Sequence, residues 1–124
     1  MVNPNLVLFY VNNPIESALF YEKIFEQQPV AVFPTYAAFT FTNGFTFSLW
    51  SIKAKNFVSA GSGSRSELAF MVSDESEVRR LHDHWRNIGV SIEQDLHKAV
   101  FGLTFVALDL DGHRIRVCLP DTDK

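Results

Sequence analysis

The sequence predicts an α+β fold made of two tandem βαβββ modules in one domain of 124 residues. A helix start is repeated: Asn13 and, 61 positions later, Asp74 are typical N-cap residues, and each is followed three residues on by a glutamate. A hairpin turn is also repeated, at Asn43-Gly44 and, 68 positions later, at Asp111-Gly112. Because half of this chain is too small to hold a good core alone, we expect both modules to belong to one domain, residues 1–124.

The first module is expected to cover residues 5–52. Residues 6–12 form a short run of β-branched and aromatic residues, which predicts a strand. Pro14 suits the first position of a helix, and apolar residues then recur at helical spacing to about Glu26. The predicted apolar stripe of this helix consists of Ile15, Leu19, Phe20, Ile24 and Phe25. Strands are predicted at 30–33, 36–42 and 45–52.

The second module is expected to cover residues 66–120, after a Ser- and Gly-rich linker at 53–65. Its pattern predicts a strand at 67–72, a helix from Asp74 to Gly89, and strands at 91–97, 102–109 and 113–119. The two offsets differ by seven residues, so the second module is longer between its helix and its hairpin. We place the extra residues around 94–101 and expect a pocket-covering loop there.

Composition excludes several classes of partner. The formal net charge is -3 and no basic run is present, so a nucleic-acid partner is not expected. The apolar stretches are short and interrupted, so no membrane span is expected, and the N-terminus lacks the pattern of a signal peptide. With one cysteine, Cys118, an internal disulfide is impossible and a cytoplasmic location is expected.

The phenylalanine content leaves two interpretations open. Twelve of the 124 residues are Phe. Bulky rings fill the core of small two-layer domains, but rings can also line a pocket for a flat apolar ligand.

The order of these motifs resembles the vicinal oxygen chelate superfamily of glyoxalases, bleomycin resistance proteins and extradiol dioxygenases. The resemblance is carried by Val11 followed by Ser17, Phe20 and Tyr21, and by residues 101–105 (FGLTF) and 109–116 (DLDGHRIR). A closer similarity, to the phenazine antibiotic resistance proteins of that superfamily, lies in Pro4-Asn5-Leu6, Leu49-Trp50-Ser51, Ser66-Glu67 and residues 115–118 (IRVC). The resemblance implies a cup-shaped mixed sheet with the helices outside, and a homodimer.

Metal-binding members of the superfamily place one ligand on the first and last strand of each half. The family pattern and the two repeat offsets select the same four residues here: Leu6, Ser48, Glu67 and Arg116. Leu6 has no donor atom and Arg116 is a permanent cation, so we expect no metal and no cofactor. Because the first and last strands of a half are neighbours in this fold, Glu67 and Arg116 are expected to pair. The pair either neutralises a relic site or also meets a polar group of a ligand.

Strand alternation extends this set of inward residues. It places Leu8 and Tyr10 beside Leu6, Thr46 and Trp50 beside Ser48, and Arg114 and Cys118 beside Arg116. Trp50 could stack on a planar ring or lie at a dimer contact. The residues expected to bind a ligand are Trp50, Ser48, Glu67, Arg116, Tyr36, Phe39, Leu8, Met71, His97 and Phe101.

The remaining polar residues have simpler interpretations. His82 and His84 lie two apart on the predicted helix, point to different sides and are expected at the solvated surface. Cys118 is expected to pack, since no histidine is placed to activate it. Asp109 and Asp111 are expected to form the second hairpin turn.

The leading hypothesis is a metal-free protein that binds and sequesters a planar aromatic antibiotic or toxin, as the resemblance implies. The alternative is a glyoxalase- or dioxygenase-like lyase or isomerase with a rebuilt metal site, which needs donors such as Asp95 or His97 in addition to Glu67. A third possibility is a dimeric module whose cup is filled by its own side chains.

Overall fold

The computed structural model describes residues 3–53 and 66–120. The chain divides into two compact units, Met1–Gly61 and Ser62–Lys124. The predicted linker, residues 53–65, lies outside the described residues except for Lys53. Neither helix in the described part of the chain is long and apolar enough to span a membrane.

Within residues 3–53 and 66–120, each unit has one helix and four strands in the order strand, helix, three strands, and this confirms the predicted α+β fold class with two βαβββ modules. The first unit consists of β1 (Leu6–Val11), α1 (Pro14–Phe25), β2 (Ala31–Val32), β3 (Tyr36–Thr40) and β4 (Thr46–Ser51). The second consists of β5 (Glu67–Met71), α2 (Glu75–Asn87), β6 (Ser91–Ala99), β7 (Gly102–Leu108) and β8 (Arg114–Cys118).

The two sheets have the same topology. Their strand orders are β1-β4-β3-β2 and β5-β8-β7-β6. In each sheet the first and last strands of the unit pair in parallel, and the other neighbours are antiparallel. The predicted adjacency of first and last strands is therefore confirmed, and it brings β5 beside β8.

Both predicted helix caps form. The Asn13 side chain accepts hydrogen bonds from the backbone N–H groups of Ile15 (3.1 Å) and Glu16 (3.2 Å). The Asp74 carboxylate accepts one from the backbone N–H of Glu77 (3.0 Å). These bonds satisfy donors that the first turn of a helix leaves without an intrahelical partner.

The buried face of α1 differs from the predicted stripe. Ile15 and Leu19 are exposed, Leu19 by 59%, whereas Ser17, Ala18 and Tyr21 are buried. The small side chains of Ser17 and Ala18 let the helix approach the sheet closely, and the Tyr21 ring lies 4.7 Å from that of Phe47. Ile24 of the predicted stripe is buried and Phe25 packs against Phe39, so the prediction was wrong for Ile15 and Leu19, which were chosen by hydrophobicity alone.

The helix–sheet core of the second unit contains Trp85, whose ring packs against Phe70 (5.8 Å) and Phe105 (5.5 Å). His82 also belongs to this core. The expectation that His82 is solvated was wrong: it is 8% exposed, and its ring lies 5.1 Å from Phe105. Its Nε2 lies 2.6 Å from Asp95 Oδ1 on β6, and this bond satisfies the polar edge of an otherwise buried ring.

The loop expected around residues 94–101 is instead part of a long hairpin. β6 continues to Ala99, and its pairing with β7 shifts register between Ile92 and Gln94 and between Gln94 and His97. The extra residues of the second module are thus absorbed as strand length and bulges. Val100 and Phe101 form the exposed turn of this hairpin.

Candidate functional site

Four aromatic side chains cross the first sheet in one line. Tyr10 on β1 pairs with Trp50 on β4, and Trp50 pairs with Tyr36 on β3. Phe33, directly after β2, continues the line through a backbone hydrogen bond from its N–H to the Tyr36 carbonyl (2.7 Å). We call Tyr10, Trp50, Tyr36 and Phe33 the aromatic row.

The aromatic row lies on the face of the sheet that is turned away from α1, here called the open face. The alternate residues of β4, Phe47 and Leu49, are buried against the helix side. The rings of Tyr10 and Trp50 meet edge to face at 6.4 Å, and those of Phe33 and Tyr36 lie 5.3 Å apart. Both Phe33 and Tyr36 are among the exposed large side chains.

Sequence reasoning identified part of this row. Trp50 and Tyr36 were predicted ligand residues, and Tyr10 was placed on the same face but not assigned a role. Phe33 was missed because no face was assigned to the strand predicted at 30–33, which Phe33 ends. The signal available was its place at the end of that strand, three residues before Tyr36.

A second line of residues runs beside the aromatic row on the open face. The backbone register pairs Leu8 with Ser48, Ser48 with Ala38, and Ala38 with Ala31. Leu8 and Ser48 therefore lie where strand alternation placed them. We call Leu8, Ser48, Ala38 and Ala31 the short row, since three of its four side chains are small.

Phe39 was expected to line the ligand site, and this placement was wrong. It is 0% exposed, pairs with Phe47, and packs its ring 5.1 Å from that of Phe25 on α1. Because Tyr36 and Phe39 are three residues apart on one strand, they must point to opposite faces. Tyr36 is on the open face, so Phe39 belongs to the helix–sheet core.

The second unit carries a charged cluster on the corresponding face of its own sheet. Arg116 donates from Nε to Glu67 Oε1 (2.7 Å) and from Nη2 to Glu67 Oε2 (3.1 Å), which is the bidentate pair that the sequence predicted. Arg114, which was not predicted to join it, lies 2.9 Å from Glu67 Oε2 through Nη2 and 2.8 Å from Glu93 Oε1 through Nη1. We call Glu67, Arg114, Arg116 and Glu93 the ionic cluster.

Two further residues hold the Arg116 side chain. Its Nη1 donates to the Thr104 hydroxyl oxygen (3.1 Å), and that hydroxyl donates to the Val117 carbonyl (2.7 Å). The Phe101 ring lies 5.6 Å from Arg116 Cζ, within range of a cation–π contact. Phe101 was predicted to cover a pocket, and the described contact is with Arg116 instead.

The ionic cluster shifts the pKa of both partners of its central pair. Hydrogen bonds from Arg116, together with the charges of both arginines, hold the pKa of Glu67 below its ordinary value of 4.5. The Glu67 carboxylate in turn raises the pKa of Arg116. Glu67 is therefore ionised at neutral pH. The two glutamates of the ionic cluster then balance the charge of its two arginines.

Glu67 is expected to make the stability of the second unit depend on acidity. A carboxylate whose pKa is lowered by folding stabilises the folded state above its unfolded pKa, and that contribution is lost as the pH falls through the folded pKa. When the pH falls from about 5 to about 3, the free energy of unfolding of Glu67→Gln should therefore decrease less than that of the unsubstituted protein. Urea unfolding of both proteins at several pH values, followed by circular dichroism, measures this.

The reciprocal variant, Arg116→Met, is expected to show the same reduced dependence because it removes the largest cause of the Glu67 shift. If both variants keep the pH dependence of the unsubstituted protein, Glu67 is not the group responsible.

The four positions where the superfamily places metal ligands do not supply a metal donor set. Leu6 has no donor atom, and Arg116 is a cation whose guanidinium already binds Glu67. Both oxygens of Glu67 accept hydrogen bonds from arginines. Among residues 3–53 and 66–120, no three His, Cys, Asp or Glu side chains come together as metal ligands would.

His97 and Asp95, the donors that a rebuilt metal site would need, have structural partners. His97 Nδ1 lies 2.8 Å from the Asp95 carbonyl oxygen, and Asp95 Oδ1 bonds both His82 and the Leu96 N–H. The pKa of Asp95 is lowered by the Leu96 N–H and by His82.

Met71, another predicted ligand residue, is 70% exposed and pairs with Cys118 across β5 and β8.

Cys118 is expected to react slowly with alkylating agents. Partial burial raises the pKa of its thiol, and the nearby Arg116 charge only partly opposes this effect. Because the thiolate is the nucleophile, iodoacetamide at mildly alkaline pH should modify the native protein several-fold more slowly than the urea-unfolded protein. Mass spectrometry of timed samples measures both rates at the single cysteine. Equal rates would contradict the expected protection.

The chain matches the family model of the glyoxalase/bleomycin resistance protein/dioxygenase superfamily over residues 4–117. It is 35% identical over 120 residues to the phenazine antibiotic resistance protein EhpR of Enterobacter agglomerans, covering 94% of this chain and 92% of that protein.

Solved structures with the same fold include protein ATC0852 of Agrobacterium tumefaciens (TM-score 0.83, 36% identity, covering 96% of this chain and 98% of that one). A glyoxalase-related enzyme of Fulvimarina pelagi is similar in fold (TM-score 0.82, 23% identity, covering 97% and 89%).

Proposed function

Because the chain belongs to the glyoxalase/bleomycin resistance protein/dioxygenase superfamily, we propose that it binds a planar aromatic antibiotic or toxin of the phenazine type and confers resistance by holding it. The similarity to a phenazine antibiotic resistance protein supports the ligand class. Equilibrium binding is the proposed mechanism, since the four superfamily metal positions lack a metal donor set.

The observation that carries this proposal is the aromatic row. Its four residues come from four adjacent strands or strand ends, which are spaced about 4.8 Å apart, so the row extends over roughly 14 Å. That length suits a polycyclic ring system. Each favourable aromatic contact contributes about 0.5–1.5 kcal/mol beyond the burial of apolar area.

The face that carries the row is also suited to an uncharged ring. The open-face residues of β1, β3 and β4 are apolar or hydroxyl-bearing: Leu6, Leu8, Tyr10, Tyr36, Ala38, Thr40, Thr46, Ser48 and Trp50. A flat apolar ligand therefore need not desolvate a charge on these strands in order to bind.

Two parts of the proposal need their own measurements. If a polar substituent of the ligand contacts the Glu67–Arg116 pair, the Arg116→Met variant should bind the ligand more weakly. If the pair only balances its own charges, binding should be unchanged. A homodimer, which the superfamily resemblance implies, predicts twice the chain mass in sedimentation equilibrium. A monomeric mass at all protein concentrations would contradict the proposed homodimer.

Tryptophan fluorescence tests the central proposal. Trp85 lies in the core of the second unit, whereas Trp50 lies on the open face of the first, so Trp85→Phe leaves one reporter in the aromatic row. The Trp85 indole N–H has no hydrogen-bond partner among the described residues, so phenylalanine removes no hydrogen bond there, although its smaller ring leaves a cavity in the core. Titration of this variant with phenazine-1-carboxylate is expected to quench Trp50 with saturation.

N-acetyltryptophanamide titrated in parallel corrects for light absorbed by the phenazine. A Trp85→Phe variant with native circular dichroism but linear, unsaturated quenching identical to that of the control would contradict the proposal.

A further inference from the structure

The open face of the first sheet contains a trough beside the aromatic row. The short row lies two residues along each strand from the aromatic row, a distance of about 6.6 Å. Ala31, Ala38 and Ser48 rise little above the sheet, while Tyr36 and Trp50 stand next to them. The edge of a flat ring can therefore reach the sheet surface where the short row lies.

Ser48 occupies the middle of this trough. It is only 8% exposed, and no hydrogen bond joins its hydroxyl to any other residue in the part of the chain that the structure describes. The buried side chains of Ser51, His82, Thr104 and Asp109 differ in this respect, since each is hydrogen-bonded. The Trp85 indole N–H also lacks a partner, but it is enclosed in the core of the second unit.

The Ser48 oxygen is not one of the fully enclosed polar atoms that lack a partner, so its hydroxyl remains accessible to a small molecule. Its position makes a ligand the natural partner. The neighbouring short-row residues, Ala38 and Leu8, have no side-chain acceptor, and the hydroxyl lies on the same face as Trp50. A ring that stacks in the aromatic row would bring its edge to the Ser48 oxygen.

We infer that Ser48 donates a hydrogen bond to an acceptor atom on the ring edge, so that the site selects nitrogen-containing polycycles over all-carbon rings of the same shape. This inference rests on the proposed function and names the ligand feature that the first unit recognises. Ser48 is then a specificity-determining residue, and the aromatic row supplies affinity for any flat ring.

A pair of matched ligands tests it. Phenazine-1-carboxylate and anthracene-1-carboxylate have the same shape and charge, and only the phenazine has ring nitrogens. Their dissociation constants are measured by calorimetry for the unsubstituted protein and for Ser48→Ala. Loss of one neutral hydrogen bond is expected to weaken phenazine binding by roughly 3- to 10-fold and to leave anthracene binding unchanged. The ratio of the two dissociation constants thus changes by that factor between the unsubstituted protein and Ser48→Ala. The greater hydrophobicity of anthracene affects both proteins equally and cancels in this comparison.

Ser51→Ala is the matched control. Ser51 is also buried and lies on the same strand, but it is on the opposite face, and its hydroxyl accepts a hydrogen bond from the Lys53 N–H (3.0 Å). For Ser51→Ala, the ratio of the dissociation constants of the two ligands should equal that of the unsubstituted protein. Thermal unfolding confirms that both variants fold.

The outcomes separate the two proposals. If both ligands bind and Ser48→Ala leaves their ratio unchanged, the inference about Ser48 is overturned while the proposed function stands. If neither ligand binds the unsubstituted protein, the proposed function is contradicted, and the inference is overturned with it.

Discussion

Trp50→Ala is expected to weaken binding of phenazine-1-carboxylate by about 2 kcal/mol, roughly 30-fold, which is the size typical of a central aromatic residue in a binding site. Trp50 is one of the two inner members of the aromatic row, with Tyr10 on one side and Tyr36 on the other. Its loss removes the largest ring and the edge-to-face contact with Tyr10. Calorimetry measures the change without relying on the tryptophan signal.

Two further variants make this result specific. Trp50→Phe keeps an aromatic face and should lose much less affinity than Trp50→Ala. Leu19→Ala removes an exposed apolar side chain from α1 in the same unit and should bind as the unsubstituted protein does. Equal affinity of Trp50→Ala and the unsubstituted protein would exclude the aromatic row as the binding surface.

Phe47→Ala is expected to destabilise the first unit by about 3–5 kcal/mol, the usual cost of removing a buried phenylalanine. Phe47 is 1% exposed, and its ring lies within 5.3 Å of the rings of Phe9, Tyr21 and Phe25. Single domains have a net stability of about 5–15 kcal/mol, so this loss removes a large part of it. Urea unfolding followed by circular dichroism measures the change.

The matched control is Phe33→Ala. Phe33 is the same residue type in the same unit, but it is half exposed on the open face. Exposed substitutions typically change stability by about 0.5 kcal/mol or less. A Phe47→Ala variant as stable as Phe33→Ala would show that the aromatic core is not what stabilises this unit.

Local signals in the sequence predicted much of the architecture. Asn13 and Asp74 cap the two helices because their short oxygen-bearing side chains reach the first free N–H groups. Gly44 and Gly112 take positive φ values of 85° each in the two hairpin turns. The Glu67–Arg116 pair was predicted from the family's ligand positions, the repeat offsets and the adjacency of the first and last strands that the resemblance implies. It forms although the register places Glu67 opposite Arg114, because Arg116 lies on the same face two residues further along.

The errors concern packing, which local patterns do not encode. Leu19 is exposed because the sheet selects the side of α1 with small residues, and hydrophobicity alone did not indicate that side. His82 is buried because Asp95, thirteen residues away in sequence, supplies its partner. Phe39 was misplaced because it was chosen for being aromatic, although its separation from Tyr36 already assigns it to the opposite face.

The two units share a strand plan but differ in what their open faces carry. Helix-facing residues such as Phe47 and Phe105 are buried in both sheets, whereas the other face holds aromatic rings in one unit and the ionic cluster in the other. Residues of that second face have other neighbours than the helix–sheet core, although some of them, such as Thr104 and Val106, are buried as well. Duplication of such a module therefore gives evolution two further surfaces, and their exposed residues can acquire a new recognition chemistry while the helix–sheet core stays unchanged.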